Sequence, residues 1–201
     1  HEPVCIDSTL QILLRVTTMP NVIDIELFKA DQQALDDFLQ SWIGHKMNMG
    51  GTQIAPDPVN MPMIRHWIDA FADRNRVYED AGFAEKTRFR GRIAPPAMMQ
   101  AWIMPRPILE GIGERGGSGQ PLNPDMPLGV LDRVGFTGIL ATNSELEFDR
   151  PLREGDLLHT DIFLESVSPR KKTGLGQGYF VTWITEFMDQ DNQAVGRQSF
   201  R

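Results

Sequence analysis

Cysteine is almost absent from this chain: Cys5 is the only one among 201 residues. No intrachain disulfide can form, and a chain with so few thiols suits a reducing compartment, so a cytoplasmic location is expected. Cys5 reads as a free structural thiol. Positive charge is also short, with 20 Lys and Arg against 27 Asp and Glu, a formal net charge of −7. Sequence-independent nucleic-acid binding neutralises phosphates with cations, so this balance argues against a nucleic-acid partner and leaves any anionic ligand to a local cluster. Long apolar runs are missing as well. LQILLRV, residues 10–16, is interrupted by Gln11 and Arg15 and falls far short of the about 20 residues of a membrane span. No basic leader or small-residue cleavage pattern precedes it, so neither a signal peptide nor a membrane partner is expected. His45, His66 and His159 are scattered without the paired spacing of a metal site, and no metal is expected.

Hydrophobic residues at 41% and charged residues at 23% are ordinary for a folded globular chain, long enough to enclose one core. The front of the chain has helical spacing. From Lys29 to Trp42 the apolar residues Leu35, Phe38, Leu39 and Trp42 recur on one face, with Gly44 as a stop. After the Pro56 and Pro58 breaks, Asn60 can cap a helix whose Ile64, Trp67, Ile68 and Phe71 form a stripe and which ends near Asp73. A third helix is expected from about Pro95 to Met104, since proline suits a first turn whose N–H groups have no intrahelical partner. GIGERGGSGQPLNPDMP reads as a long loop, its glycines lacking the Lys-Ser/Thr ending of a phosphate loop.

The back of the chain has strand texture. GFTGILATNSELEFD, DLLHTDIFLESVS, GYFVTWITEFMD and AVGRQSFR are separated by REGD, PRKKTGLGQG and QDNQ, which predicts four antiparallel strands. In the third, Tyr179, Val181, Trp183 and Phe187 share one face while Phe180, Ile184 and Met188 share the other. Apolar residues on both faces predict that each meets something, the central helix on one side and a partner chain on the other. Helices followed by long antiparallel strands make an α+β domain whose sheet curls around one buried helix.

ADRNRVYEDAGFA places Asp73, Asn75 and Tyr78 within six positions, just after the best helix. Adding water across a double bond beside a thioester needs a carboxylate and a second acid/base group to hold the water. It also needs an N–H donor for the enolate oxygen. Asp73 could be the carboxylate, Asn75 could orient water or substrate, and Tyr78 could donate a hydrogen bond, although a phenol near pKa 10 takes a proton poorly at neutral pH. On the other reading, Asp73 and Asn75 only bond backbone groups where the helix ends and Tyr78 packs.

IDAFADRNRVYEDAGFA resembles the signature of the MaoC-like, (R)-specific enoyl-CoA hydratases, a hot-dog-fold family with a D-x-N-P-x-H core. GRIAPPAMMQAW resembles their segment leading into the central helix, and EFDRPLREGDLLHTDIFLESV resembles the strand-turn-strand element of hot-dog dehydratases. The resemblance spans roughly residues 59 to 201, in family order. It implies a hot-dog domain at 59–201 with residues 1–58 as an extension whose helix packs on it. Two departures stand out. Arg76 and Tyr78 replace the family's Pro and catalytic His, and Pro95 and Pro96 stand where active members carry a His-Gly pair whose glycine N–H serves the oxyanion. Proline has no N–H to offer.

In these departures the chain resembles the larger, His-lacking MaoC domain of two-subunit enoyl-CoA hydratases acting on steroid side chains. That likeness implies a subunit acting on acyl-CoA thioesters, with a sister hot-dog subunit supplying the His and coenzyme A entering only as part of the substrate. A self-dimer is the alternative assembly. Asp73, Asn75 and Tyr78 would form a degenerate catalytic site, and Ala94, Pro95, Pro96, Ala97 and Met98 would line the acyl tunnel. Met98, Met99 and Met104 suit an adaptable apolar pocket as well as plain helix packing. KTRFRGR alternates Lys86, Arg88, Arg90 and Arg92, which in an extended segment would point one way. Arg88, Arg90 and Arg92 could meet the phosphates of coenzyme A, or form a solvated basic edge. A non-catalytic acyl-CoA binding domain, and a self-sufficient variant using Asp73 with Tyr78, remain alternatives.

Overall fold

The computed structural model describes residues 23–47, 52–115, 119–174 and 176–201. Cys5 and LQILLRV lie outside the described residues. The first helical segment is two helices, α1 (Ile25–Ala30) and α2 (Gln32–Ser41), where the periodicity predicted one. Asp31 breaks it: its backbone is extended and its carboxylate accepts from the Gln33 and Ala34 amides, the geometry of an N-cap. The predicted stripe is buried, Leu35, Phe38, Leu39 and Trp42 alike, and Gly44 follows at a φ of 82°.

Strand β1 (Gln53–Ile54) precedes α3 (Met61–Ala70), which Asn60 caps through the Met63 amide at 3.0 Å. Ile64 and Ile68 are buried and Trp67 is partly so, but Phe71 at the foot of the stripe is 68% exposed and lies against Trp67. Helix α4 (Ala81–Glu85) follows a 3₁₀ turn at Arg76–Tyr78. The Pro95–Met104 helix is present in shortened form, as a 3₁₀ turn Pro96–Met98 running into α5 (Met99–Trp102). Helix α6 (Pro127–Arg133) starts at the last residue of the segment read as loop and fills a stretch to which the sequence pattern assigned no element.

The strands are β2 (Ser144–Phe148), β3 (His159–Val167), the short hairpin β4 (Lys171–Thr173) and β5 (Gly176–Gly178), β6 (Val181–Met188) and β7 (Ala194–Phe200). Five of them form one antiparallel sheet in the order β1-β3-β6-β7-β2. The first predicted long strand begins only at Ser144; Thr142 and Asn143 bond the backbone of Arg201, and residues 135–141 have no strand partner among the described residues, with Ile139 and Leu140 there exposed. The PRKKTGLGQG turn is itself the β4–β5 hairpin.

The sheet wraps around α5. Register places Thr160, Phe187, Gly196 and Phe148 in one row across it, and Gly196 meets Met99 of α5 there. One row along, buried Gln198 donates to the side chains of Gln100 at 3.1 Å and Ser144 at 2.9 Å. The buried residues fall into two clusters. One joins α3, Tyr78 and the α5 segment to Leu158, Phe187 and Val195. The other joins α1, α2 and α6 to Leu164, Val167 and Val181. Tyr179 ties the second cluster together, donating to Asp36 at 2.8 Å, and its phenol is pushed well up by burial and by that carboxylate. On β6, Val181, Thr185 and Phe187 are buried, whereas on the opposite face Ile184 and Met188 are only half covered and Glu186 is exposed. No helix among the described residues is long and apolar enough to cross a membrane.

Candidate active site

Helix α3 ends in a turn that aims the next residues. The Ala72 amide donates to Asp69 O at 3.2 Å and the Asp73 amide to Ile68 O at 2.8 Å, with Ala72 left-handed at a φ of 51°. This is a Schellman closure, in which glycine normally takes the left-handed place. Alanine there is strained by its Cβ. Ala72→Gly is therefore expected to stabilise the chain by about 0.5 kcal/mol, the relief being partly offset by the freer unfolded glycine. A urea midpoint that falls would contradict this.

The closure sets Asp73 at the head of a tight polar turn. Its Oδ1 accepts from the Asn75 amide at 2.9 Å, and Asn75 Oδ1 accepts from the Val77 amide at 3.3 Å to start the 3₁₀ turn that carries Tyr78. Tyr78 is buried. Burial pushes its phenol above the ordinary value; a hydrogen bond with the Asn75 side chain pulls it down, and the nearby Asp73 carboxylate pushes it up again. The structure thus brings Asp73, Asn75 and Tyr78 together, and it also gives the first two the backbone-bonding work that the sequence offered as the alternative. Arg76, in the place of the family's Pro, pairs with Asp80 at 2.6 Å and stacks over Phe83. The guanidinium holds the Asp80 carboxyl below the usual range.

The Ala94–Met98 stretch divides. Ala94, Pro95 and Met98 are buried, and Ala94 and Met98 share the cluster of Tyr78; Pro96 and Ala97 face outward. The Ala94 amide is already spent on Leu152 O at 2.8 Å, and the next two residues have no N–H. Residues 94–96 therefore present no free backbone donor to an oxyanion.

Residues 86–91 are a chain of turns, so the alternation that would align Lys86, Arg88, Arg90 and Arg92 on an extended segment does not apply. Arg90 is left-handed at a φ of 52°, Arg88 stacks over Phe89, and Arg92 pairs with Glu154 at 3.3 Å. Arg88 and Arg90 are exposed. Sequence reading missed what holds this turn: the Arg153 guanidinium donates to the carbonyls of Arg92 and Phe89. The pattern that could have shown it is the PLREGD turn, whose one arginine, Arg153, points back across the fold. Trp102 was missed too, although it lies four residues from Met98 on the same helical face. Among the described residues, no three of His, Cys, Asp or Glu converge as a metal site would need.

A family profile described as FAS1-like, dehydratase domain region, matches residues 41–198. The chain belongs to this family. It is 38% identical over 170 residues to a "Probable enoyl-CoA hydratase alpha subunit" of Thermomonospora curvata, covering 81% of this chain and 49% of that protein. It is 38% identical over 129 residues to the 3-oxo-4,17-pregnadiene-20-carboxyl-CoA hydratase alpha subunit of Mycobacterium tuberculosis, covering 64% of this chain and 39% of that one. The chain spans about half, or less, of the length of these curated relatives. Among solved structures, this FAS1-like dehydratase region resembles the ChsH1-ChsH2 complex from Mycobacterium tuberculosis, with a TM-score of 0.66 and 31% identity over 85% of this chain and 88% of that chain. A MaoC-like dehydratase from Rhodospirillum rubrum, at a TM-score of 0.50 and 21% identity over 77% of this chain and 90% of that one, shares the hot-dog fold.

Proposed function

We propose that this chain is the acyl-pocket subunit of an enoyl-CoA hydratase/dehydratase, adding water to a trans-2-enoyl-CoA to give a 3-hydroxyacyl-CoA. A hot-dog partner supplies the imidazole. The observation that carries this reading is Tyr78: it stands within reach of Asp73 and Asn75, as a proton carrier would, but its phenol is raised by burial and cannot take a proton from water near pH 7. Hydration needs a base to take one proton as the water oxygen bonds to C3, and an acid to deliver one to C2. It also needs a donor for the thioester oxygen, which gains charge in between. Asp73 and Asn75 can orient water or substrate, but with Tyr78 held as a phenol and residues 94–96 without a free N–H, a second proton acceptor and the oxyanion donor are left to the partner. The alpha-subunit names of the curated relatives and the two-protein complex among the structural neighbours support a division of labour.

In this reading Ala94, Pro95 and Met98 line the acyl pocket, with Pro96 and Ala97 at its rim, and exposed Arg88 and Arg90 meet phosphates of coenzyme A. Arg92, paired with Glu154, holds the turn. The relative named for 3-oxo-4,17-pregnadiene-20-carboxyl-CoA points to a bulky polycyclic acyl group as the substrate class. Coenzyme A is part of that substrate and no other cofactor is needed; a cytoplasmic setting fits the single cysteine.

The test is enoyl thioester hydration by the purified chain, alone and mixed with a hot-dog partner carrying D-x-N-P-x-H. The mixture is expected to exceed the chain alone by a hundredfold or more, the usual scale of one lost oxyanion donor or acid/base group. Equal rates in the two samples would defeat the proposal.

A further inference from the structure

The cluster around Tyr78 holds one donor that the fold leaves unserved. Trp102 ends α5, is 5% exposed, and its indole Nε1 is buried without a hydrogen-bond partner among the described residues. A donor removed from water with nothing in exchange weakens folding by roughly five- to a hundredfold in equilibrium constant. A phenyl ring would fill much of the same space without that loss.

The surroundings are those of the proposed acyl pocket. Trp102 shares its cluster with Tyr78, Ala94 and Met98, and Met61 and Met99 belong to it as well. Methionine is unbranched and turns easily among rotamers, so a core rich in it can open for an entering group. From Pro96 to Trp102 the helical segment advances on the order of 10 Å, at 1.5 to 2 Å per residue. Trp42 carries an indole N–H similarly unserved among the described residues, but in the second cluster, apart from Asp73 and Tyr78.

We propose that Trp102 is a specificity-determining residue of the acyl pocket, its Nε1–H donating to a ketone or hydroxyl oxygen of the acyl group on the order of 10 Å from the pocket rim at Pro96. The inference rests on the acyl-pocket reading above. It makes the preferred substrate an oxygenated acyl-CoA, because a buried donor left without its acceptor penalises the plain hydrocarbon analogue.

Binding of two thioesters to the full chain, measured by calorimetry, tests it. The probes are 3-oxo-4,17-pregnadiene-20-carboxyl-CoA and the same molecule with a methylene in place of the ring ketone. The native chain is expected to prefer the ketone by about tenfold. Trp102→Phe is expected to bring the two affinities within about twofold of each other, since lost ring volume weakens both alike and leaves their ratio untouched. Equal affinities in the native chain overturn the proposal whatever the stability of the variant, and so does a preference that survives Trp102→Phe. Binding of neither thioester overturns the acyl-pocket reading together with this one; binding of both without preference overturns this one alone.

Discussion

Alanine at Gly196 is expected to lower the unfolding free energy by about 3 kcal/mol, at the top of the range for overpacked cores. A Cβ built there lies 2.3 Å from the Glu147 carbonyl oxygen and 3.0 and 3.2 Å from Sδ and Cε of Met99. Met99 can swing aside. The carbonyl is backbone of β2, paired beside Gly196 at Phe148, and it can move only by loosening that pairing. The alternative is to lift α5 from the sheet, which would displace Met98 and Trp102 with it. Either route reaches the proposed pocket, so hydration by the mixed complex is expected to fall along with stability. The urea midpoint should drop at unchanged m-value. A loss under about 1 kcal/mol would mean that the sheet absorbs the methyl group and that α5 is not held as closely as the geometry indicates.

Glycine within a strand pattern is the sequence-level mark of such a close approach, but AVGRQSFR could not say which backbone comes near. Much of the fold was legible for the same local reasons. Asn60 before the Ile64–Ile68 stripe, and alternating runs from Asp156 and Gly178 onward, signal their elements through caps and period, and both were found. Where tertiary context decides, the sequence was silent or misleading. Asp31 sits in a continuous helical period, and only its capping of the next turn breaks the helix. Phe71 belongs to the stripe by spacing, yet the chain turns at Ala72 before anything covers it. Ile139 and Leu140 look like strand residues, but β2 at the sheet edge leaves them no strand partner among the described residues. The Asp73, Asn75 and Tyr78 cluster was readable because six consecutive residues in tight turns cannot lie far apart. The unserved donor of Trp102 was not, since satisfaction of a buried polar atom depends on neighbours from distant elements.

Arg150→Met is expected to remove about 3 kcal/mol of stability at pH 7, because it strips the counter-charge from a buried carboxylate while retaining an apolar stem. Arg150 donates to Asp156 at 2.8 Å and to Asp189 at 2.6 Å, bolting the turn after β2 to the turn between β6 and β7. Burial pushes the Asp189 carboxyl up; the Gln193 amide, the Arg150 guanidinium and the Asp191 amide together outweigh it and hold the group below its ordinary value. A carboxyl depressed by folding contributes stability that is complete above its unfolded pKa, about 4, and is lost as pH falls through the lower folded value. Without the guanidinium, the folded Asp189 pKa rises, so the native chain's advantage over the variant should be largest at neutral pH and shrink as both proteins are acidified below about pH 4. Urea titrations of the two proteins at pH 7 and at the acid end of their folded range read this directly. A gap that stays constant with pH would show that Arg150 acts through packing and not through its charge on Asp189.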